Sequence, residues 1–366
     1  MSPPETTELE ARLLALIKAN GPISLADYMA DALGHPHDGY YATQSSLGAD
    51  GDFTTAPEIS QVFGELIGLH LVQSWIDMGE PEAFNLVELG PGRGVMMADV
   101  LRAARVRPGF LKAARLTLVE ASGRLRHEQQ KRLRALNVDA DWKDAFTDVP
   151  EGPLLLVANE FFDCLPIRQY ERTELGWRER LVGAREDGAA LAFTVASAPP
   201  AADAGLPPAD DHPLGAIFET GEAAAALGAD IAARLVAAPP GRALIIDYGR
   251  VRADVGDTLQ AVRDHAYWPV LTAPGRADLT AYVDFDGIAR AAIAAGAGVH
   301  GPVSQGLFLE RLGLAARLEK LCAGKSPAEQ AAVHAGAHRL AAPSAMGEIF
   351  KAMAISSPTL PAPAGF

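Results

Sequence analysis

One stretch constrains the fold more than any other, the sequence FNLVELGPGRGVMMADVLRA at 84–103. It begins with an apolar run, 86–89, of the kind that forms a buried strand. Three glycines follow, Gly90, Gly92 and Gly94, and apolar residues then recur at a helical period. Glycine tolerates positive φ, and a helix N-terminus offers unpaired N–H groups. A strand, a glycine turn and a helix in this order therefore predict a cradle for a ligand.

The spacing of these glycines indicates the kind of ligand. A dinucleotide fingerprint reads G-x-G-x-x-G, and its third glycine would fall at Val95. The chain instead reads G-x-G-x-G, with Glu88 near the end of the preceding strand. This pattern resembles motif I of the class I S-adenosylmethionine (SAM)-dependent methyltransferases. The resemblance implies that the turn passes under the methionyl part of SAM, with Glu88 close to the cofactor's amino group.

Two later segments carry further candidates for cofactor binding. Residues 115–120 read as a strand that ends in Glu120, where Rossmann-like folds place the carboxylate that holds ribose hydroxyls. Capping of the next helix is the alternative role for this side chain. After a weak strand at 138–142, the methyltransferase resemblance implies that Asp144 and Ala145 meet the adenine. An ordinary loop carboxylate is the alternative for Asp144.

The next two predicted strands are followed by polar side chains. Asn159, Glu160 and Asp163 come directly after an apolar run, Asp247 ends the next one, and His265 follows a later loop. Because α/β folds place chemistry at the carboxyl ends of strands, we predict that Glu160 and Asp163 face the methyl acceptor. Asn159 is a candidate for both acceptor and cofactor contact. Asp247 and His265 are further catalytic candidates.

Composition excludes several classes of protein. The chain has 366 residues and a formal net charge of −14, which argues against a dedicated nucleic-acid binder. Two cysteines exclude a disulfide framework, and no apolar run is long enough to insert into a membrane. The pair His35 and His37 lacks nearby ligands, so we expect no metal site. The N-terminus has neither signal-peptide nor transit-peptide character. Together these features predict a cytoplasmic protein.

The order of the segments predicts a Rossmann-like α/β fold of the class I SAM-dependent methyltransferase type. We expect a mostly parallel sheet with helices on both faces and an antiparallel final strand. Residues 1–80 would form an N-terminal helical region with an active-site loop. Residues 81–170 and 241–366 would form the methyltransferase core. Residues 171–240 would be an insertion between strands 4 and 5 that contacts a substrate or partner.

Several motifs together make a more specific resemblance. The chain is similar to the MidA-type family, which includes a mitochondrial complex I assembly factor, through ELGPGRG (88–94), NEFFDCLP (159–166), IIDYG (245–249), GDTLQAVRDH (256–265), DLTAYVDF (278–285) and GYY (39–41). The resemblance implies a protein-arginine methyltransferase that uses SAM. It implies a protein acceptor, namely a subunit of respiratory complex I, and leaves open whether the chain forms a homodimer.

Two alternatives remain at this stage. A methyltransferase with a small-molecule acceptor would carry the same cofactor motifs. A non-catalytic assembly factor could keep the fold as a docking surface, although the set from Glu88 to Glu120 is intact.

Overall fold

The computed structural model describes residues 6–43, 54–202, 204–237 and 240–366. The strands of this part of the chain are β1 Ile23–Ser24, β2 Phe84–Leu89, β3 Ala114–Val119, β4 Asp141–Lys143, β5 Leu154–Asn159, β6 Arg168–Thr173, β7 Gly176–Ala184, β8 Leu191–Val195, β9 Ile217–Thr220, β10 Gly241–Arg250, β11 Gln260–Arg263, β12 Ala266–Trp268, β13 Asp278–Thr280, β14 Val283–Asp284, β15 Gly298–Ser304 and β16 Phe350–Ser356. The α-helices are α1 Glu8–Asn20, α2 Leu25–Gly34, α3 Tyr40–Thr43, α4 Ala56–Ile59, α5 Gln61–Asp77, α6 Val95–Ala103, α7 Pro108–Ala113, α8 Gly123–Arg134, α9 Glu222–Ala237, α10 Phe285–Ala294, α11 Gln305–Arg311, α12 Leu314–Cys322, α13 Pro327–Ala341 and α14 Met346–Ile349.

The central sheet has the order β15-β16-β10-β5-β2-β3-β4. Strands β4, β3, β2, β5 and β10 run parallel, whereas β16 is antiparallel to both of its neighbours. This confirms the predicted Rossmann-like sheet with an antiparallel final strand. The chain order reverses between β2 and β5, because β3 and β4 lie on one side and β10 on the other. Open α/β sheets bind ligands at such a reversal, beyond the carboxyl ends of the strands.

Helices cover both faces of this sheet. Helix α5 packs with α6 over one face, and α9 packs with α10 over the other. Strands β2 and β5 are buried at every position, which explains why their sequences are mostly apolar and do not alternate with exposed polar residues. Helix α5 is buried around most of its surface, which explains why its sequence is apolar on nearly every side. No helix among the described residues combines the length and apolar character needed to cross a bilayer.

A second sheet joins the N-terminal helices to the segment that follows β5. Its order is β1-β7-β6-β9, with β8 also paired to β7. Strand β1 connects α1 to α2 and pairs with β7, so Ile23 lies opposite Val182. Leu13 and Tyr28 share a core with Val182 and with Leu279 of β13. The N-terminal region is thus packed against residues that come much later in the chain.

The structure corrects one expectation from the sequence and describes only part of the segment concerned in another. The weak strand expected at 138–142 is β4, which begins later, at Asp141, and contains only Asp141–Lys143. Only these residues pair with the end of β3, where Thr117 lies opposite Asp141. The expected active-site loop lies partly outside the described residues, since 44–53 are not among them.

Candidate active site

A cavity of about 850 Å³ opens at the carboxyl ends of β2, β3 and β5. It lies at the reversal of strand order, as the fold predicts. Its lining comes from the glycine turn, from the ends of β3 and β5, from the end of α2 through α3, and from β13. Among the predicted site residues, the lining includes Glu88, Gly90, Gly92, Glu120, Asp144, Ala145, Asn159, Glu160 and Asp163.

The glycine turn bends tightly into α6. All three glycines have positive φ, with Gly92 at +52° and Gly94 acting as the N-cap of α6. A Cβ atom on Gly90 would lie 2.5 Å from Cδ2 of Phe161. A Cβ atom on Gly92 would meet no protein atom within 4 Å. Gly90 is therefore required by close packing, whereas the Gly92 backbone faces open space in the cavity.

Glu88 is an unusual side chain for its place in the sheet. It is 2% exposed, and its Oε2 atom has no hydrogen-bond partner among the described residues. Burial, reinforced by the nearby Glu120, raises the pKa of its carboxyl to about 8. A buried carboxylate without a partner is costly, and a cationic ligand group would relieve that cost. The site thus fits the ammonium group of SAM.

Glu120 is held at the end of β3 by two donors. Its Oε1 accepts a hydrogen bond from the Ser122 N–H at 2.8 Å, and its Oε2 accepts one from Gln129 Nε2 at 3.3 Å. Gln129 Nε2 also donates to the carbonyl of Gly92 at 2.7 Å. The amide of Gln129 therefore ties the strand-end carboxylate to the glycine turn. Burial raises the pKa of Glu120.

Gln129 was missed by sequence reasoning, although a signal exists. It is fully buried and lies midway between Leu125 and Leu133 on the inner face of α8. A polar residue at the centre of an apolar i, i+4, i+8 series is exceptional in a helix that is otherwise basic and solvated. That position could have been flagged from the sequence.

The predicted adenine contacts lie at the rim of the cavity. Asp144 and Ala145 line it together with the buried ring of Phe146. The Asp144 carboxylate is 79% exposed and pairs with Arg126. Its contact with adenine stays a prediction.

Asn159 and Glu160 form the floor of the cavity at the end of β5. Glu160 has a φ of +50°, which is strained for a residue with a side chain. Its Oε1 accepts hydrogen bonds from the Ala56 N–H at 2.9 Å and from Asn159 Nδ2 at 3.0 Å. Burial is the largest influence on its pKa, and raises it to about 7. Asn159 Oδ1 is buried and has no partner in the described part of the chain.

Asp247 shapes the turn that carries the other carboxylates. Its Oδ2 accepts the N–H groups of Phe161, Phe162 and Asp163 at 2.9–3.1 Å, and its Oδ1 accepts that of Tyr248 at 2.9 Å. It is fully buried beneath the cavity and is not part of the lining. This geometry makes Asp247 a positioning residue. Asp163 does line the cavity, and burial raises its pKa to about 6.

His265 is not brought to the site. It lies at the tip of the hairpin between β11 and β12, where Asp264 and His265 both have positive φ. The two-residue turn projects it into solvent, and it is absent from the cavity lining. His265 was chosen as a catalytic candidate because it follows a loop, and the structure does not support that choice.

The comparisons with known proteins agree with this geometry. A sequence model of the family described as "Putative S-adenosyl-L-methionine-dependent methyltransferase" matches residues 66–303. That range contains the glycine turn and most of the cavity lining. The chain belongs to this methyltransferase family.

Curated relatives of this methyltransferase extend the match to nearly the whole chain. The mouse protein named "Protein arginine methyltransferase NDUFAF7, mitochondrial" is 37% identical over 96% of this chain and 85% of its own length. The homologue from Drosophila melanogaster is 37% identical over 95% and 84%. The human protein is 34% identical over 95% and 83%.

A solved structure supports the cofactor. A crystal structure from Burkholderia thailandensis, bound to S-adenosyl-homocysteine, is 29% identical, covers 100% of this chain and 97% of its own, and has a TM-score of 0.84. A native structure from the same organism has a TM-score of 0.81 and the same identity. The protein is thus a SAM-dependent methyltransferase.

The location expected from the sequence is wrong on these comparisons. The relatives from mouse, fly and human are named as mitochondrial proteins, which points away from the cytoplasm. Scarcity of cysteine excludes only a disulfide framework, and several compartments share that property, so composition does not place a protein in the cytoplasm.

The unpartnered carboxylate gives a first prediction. A Glu88→Gln change should weaken SAM binding by roughly tenfold or more, because a hydrogen bond to a charged group contributes about 1.5–3 kcal/mol. Titration calorimetry with SAM measures the effect. Glu348→Gln in α14, which loosens a surface pairing with Lys351 away from the cavity lining, is the control and should keep wild-type affinity. Equal affinity in Glu88→Gln and wild type would remove Glu88 from the cofactor site.

Proposed function

We propose that this methyltransferase modifies an arginine side chain of a protein acceptor. The observation that carries the proposal is the pair of carboxylates, Glu160 and Asp163, that line the cavity next to the glycine turn. Two arginines, Arg93 and Arg124, also line the cavity. They pair with Glu58 and Glu128 and not with Glu160 or Asp163. Names given to the curated relatives, protein arginine methyltransferases, agree with this acceptor.

An arginine acceptor needs carboxylates for a physical reason. Guanidinium stays protonated at ordinary pH, so it must be gripped, and one nitrogen must give up a proton as it gains the methyl group. When bound, SAM supplies a methyl group on a sulfonium, and transfer leaves S-adenosylhomocysteine and one released proton. Glu160 would hold the guanidinium and take that proton as a general base. Asp163 would bind a second N–H.

The bonds to Glu160 show how it would be oriented. Within the described residues, the hydrogen bonds from Ala56 and Asn159 both fall on Oε1. They fix the carboxylate plane and leave Oε2 for the acceptor. The unpartnered Oδ1 of Asn159 is a second acceptor atom beside it, available to the guanidinium or to the cofactor. Fixed acceptors of this kind hold a reactant in one geometry, which is the main task in a methyl transfer.

The pKa of Glu160 gives a pH prediction. With a pKa raised to about 7, the carboxylate form that grips guanidinium becomes dominant only above that value. The rate of methyl transfer should therefore rise between pH 6 and pH 8. The groups that act on Glu160 are the acids Asp163, Glu58 and Asp247 and the hydrogen-bond donors Asn159 and the Ala56 N–H. Initial rates at saturating SAM measure the profile, and a Glu160→Gln variant should flatten the limb near pH 7.

The raised pKa of Glu160 acts on stability in the opposite direction to its effect on the rate of methyl transfer. The folded state binds this proton more tightly than the unfolded chain, whose glutamate has a pKa of 4.5. The contribution of Glu160 to the free energy of unfolding is therefore fully present below pH 4.5 and is lost as the pH rises through about 7.

We also propose a division of labour between the regions of the chain. Residues 81–170 and 241–366 would carry the methyltransferase core, and regions 1–80 and 171–240 would recognise the acceptor protein. Pairing of β1 with β7 supports a joint recognition unit. The resemblance to complex I assembly proteins suggests a quinone-side subunit of an NADH dehydrogenase as the acceptor.

This acceptor can be tested directly. The purified enzyme and SAM are incubated with the purified subunit, and peptides are analysed by tandem mass spectrometry. We expect a methyl group on one arginine, absent when the Glu160→Gln variant replaces the wild type. A subunit that gains no methyl group, in the presence of enzyme that binds SAM, would contradict this choice of acceptor.

A further inference from the structure

We propose that the cavity contains an acceptor chamber, formed by Tyr41, Asp163, Tyr248 and Asp278, that selects a guanidinium over an ammonium group. The inference rests on the proposed arginine methylation and adds side chains from distant parts of the chain to it. Tyr41, Tyr248 and Asp278 were not candidates from the sequence.

The acceptor chamber is assembled from separate elements. Tyr41 belongs to α3, Asp163 to the turn after β5, Tyr248 to β10 and Asp278 to β13, and all of them line the cavity. Tyr41 Oη donates a hydrogen bond to Asp278 Oδ1 at 3.4 Å. The Asp163 carbonyl accepts the Ala281 N–H at 2.9 Å, which ties the turn after β5 to the end of β13. The two aspartates are 7% and 8% exposed.

Tyr248 points independently to a ligand. It is 8% exposed, and its hydroxyl is flanked by Asp163 and Thr280. That hydroxyl makes no well-directed hydrogen bond among the described residues, although Asp163 and Thr280 lie close enough to interact with it. Its ring is held edge-on by Tyr282 and Phe350, with centroids 5.6 and 5.4 Å away. Buried polar atoms are almost always paired, so a hydroxyl without a well-directed bond on a fixed ring, aimed into a cavity, calls for an atom of the ligand.

The arrangement favours guanidinium for geometric reasons. Guanidinium is planar and presents five N–H donors in a rigid fork, whereas an ammonium group is compact, strongly hydrated and has three donors. Asp163 and Asp278 supply carboxylate oxygens from two separate elements that line the cavity, and Tyr248 Oη supplies a further acceptor close to Asp163. A planar cation can meet these fixed acceptors together. An ammonium group would have to give up its hydration for fewer of them.

The test uses small probes, because they separate the acceptor chamber from the rest of the acceptor protein. Methylguanidinium and methylammonium are titrated by saturation-transfer NMR into the full chain with saturating S-adenosylhomocysteine. The variants are Tyr248→Phe and Asp278→Asn, which keep side-chain volume. Matched controls are Tyr267→Phe, whose ring is 81% exposed, and Asp264→Asn, whose carboxylate is 88% exposed, both on the β11–β12 hairpin.

We expect the wild type to bind methylguanidinium in preference to methylammonium. Each chamber variant should lose about tenfold in methylguanidinium affinity, since Tyr248→Phe removes one hydrogen bond to the cation and Asp278→Asn removes the charge that strengthens another. Affinity for S-adenosylhomocysteine, measured by calorimetry, should stay unchanged in every variant, which also shows that the variants are folded. Both controls should match the wild type.

Three results would overturn the acceptor chamber. In the first, both chamber variants bind methylguanidinium as tightly as the wild type. In the second, the wild type binds the two probes equally. In the third, the variants lose S-adenosylhomocysteine affinity in parallel with probe binding. Failure of the proposed function has a different signature. In that case the wild type transfers no methyl group to any arginine and does not bind methylguanidinium, whatever the variants do.

Discussion

A Gly92→Val variant is expected to bind SAM about 10- to 100-fold more weakly than the wild type. The Cβ atom at this position would enter open space in the cavity, next to the carbonyl that Gln129 holds. Any ligand that lies against the glycine turn would then meet the valine methyl groups, and such overpacking costs about 1–3 kcal/mol. Titration calorimetry with SAM measures the loss, with NAD as a ligand that should not bind in either protein.

The variant needs a control for backbone strain, because Gly92 has a φ of +52°. Gly188 offers one, since it lies in the turn between β7 and β8 with a φ of +68° and nothing within 4 Å of an added Cβ. Gly188→Val therefore carries a similar strain without an adjacent ligand. We expect it to bind SAM like the wild type. Tight SAM binding by Gly92→Val would show that the cofactor does not lie on this turn.

A Glu160→Gln variant is expected to lose about 10²–10⁴-fold in methyl transfer at pH 8 while keeping its SAM affinity. Glutamine has nearly the same shape, but it cannot take a proton from the acceptor and carries no charge to hold guanidinium. Its amide oxygen can still accept the hydrogen bonds from Ala56 and Asn159, so the floor of the cavity should persist. Initial rates and calorimetry on the same preparation separate the two effects.

Glu222→Gln is the matched control for this change. Glu222 begins α9 and pairs with Arg168 at the surface, away from the cavity lining. Its variant should keep the wild-type rate within about twofold, since surface ion pairs contribute little. If Glu160→Gln transferred methyl groups as fast as this control, another residue would have to be the base.

The sequence alone predicted that the candidates for cofactor binding would meet at one edge of the sheet. The three glycines directly follow strand β2, which contains Glu88. The positions of these residues relative to one another therefore depend on local structure. Glu120 and Asn159 could be placed because parallel strands of a Rossmann-like sheet end at one edge. Fold and cofactor type therefore followed from short patterns and a known topology.

The acceptor side could not be predicted in the same way. Tyr41 and Asp278 meet only because α2 and α3 pack against β13, and no spacing in the sequence encodes that contact. His265 was selected through its position after a loop, but a two-residue turn directs it into solvent. The role of Asp247 depends on hydrogen bonds to N–H groups more than eighty positions earlier. Such long-range relations require the folded chain.

The measurement that tests the account most directly is the identity of the methylated amino acid. Wild-type enzyme is incubated with tritiated SAM and total protein from cells that lack this gene, and acid hydrolysates are separated by chromatography. The account predicts that the label elutes with methylarginine and disappears with the Glu160→Gln variant. Label on lysine or another amino acid, or only on small molecules, would contradict protein-arginine methylation while leaving the SAM-dependent methyltransferase intact.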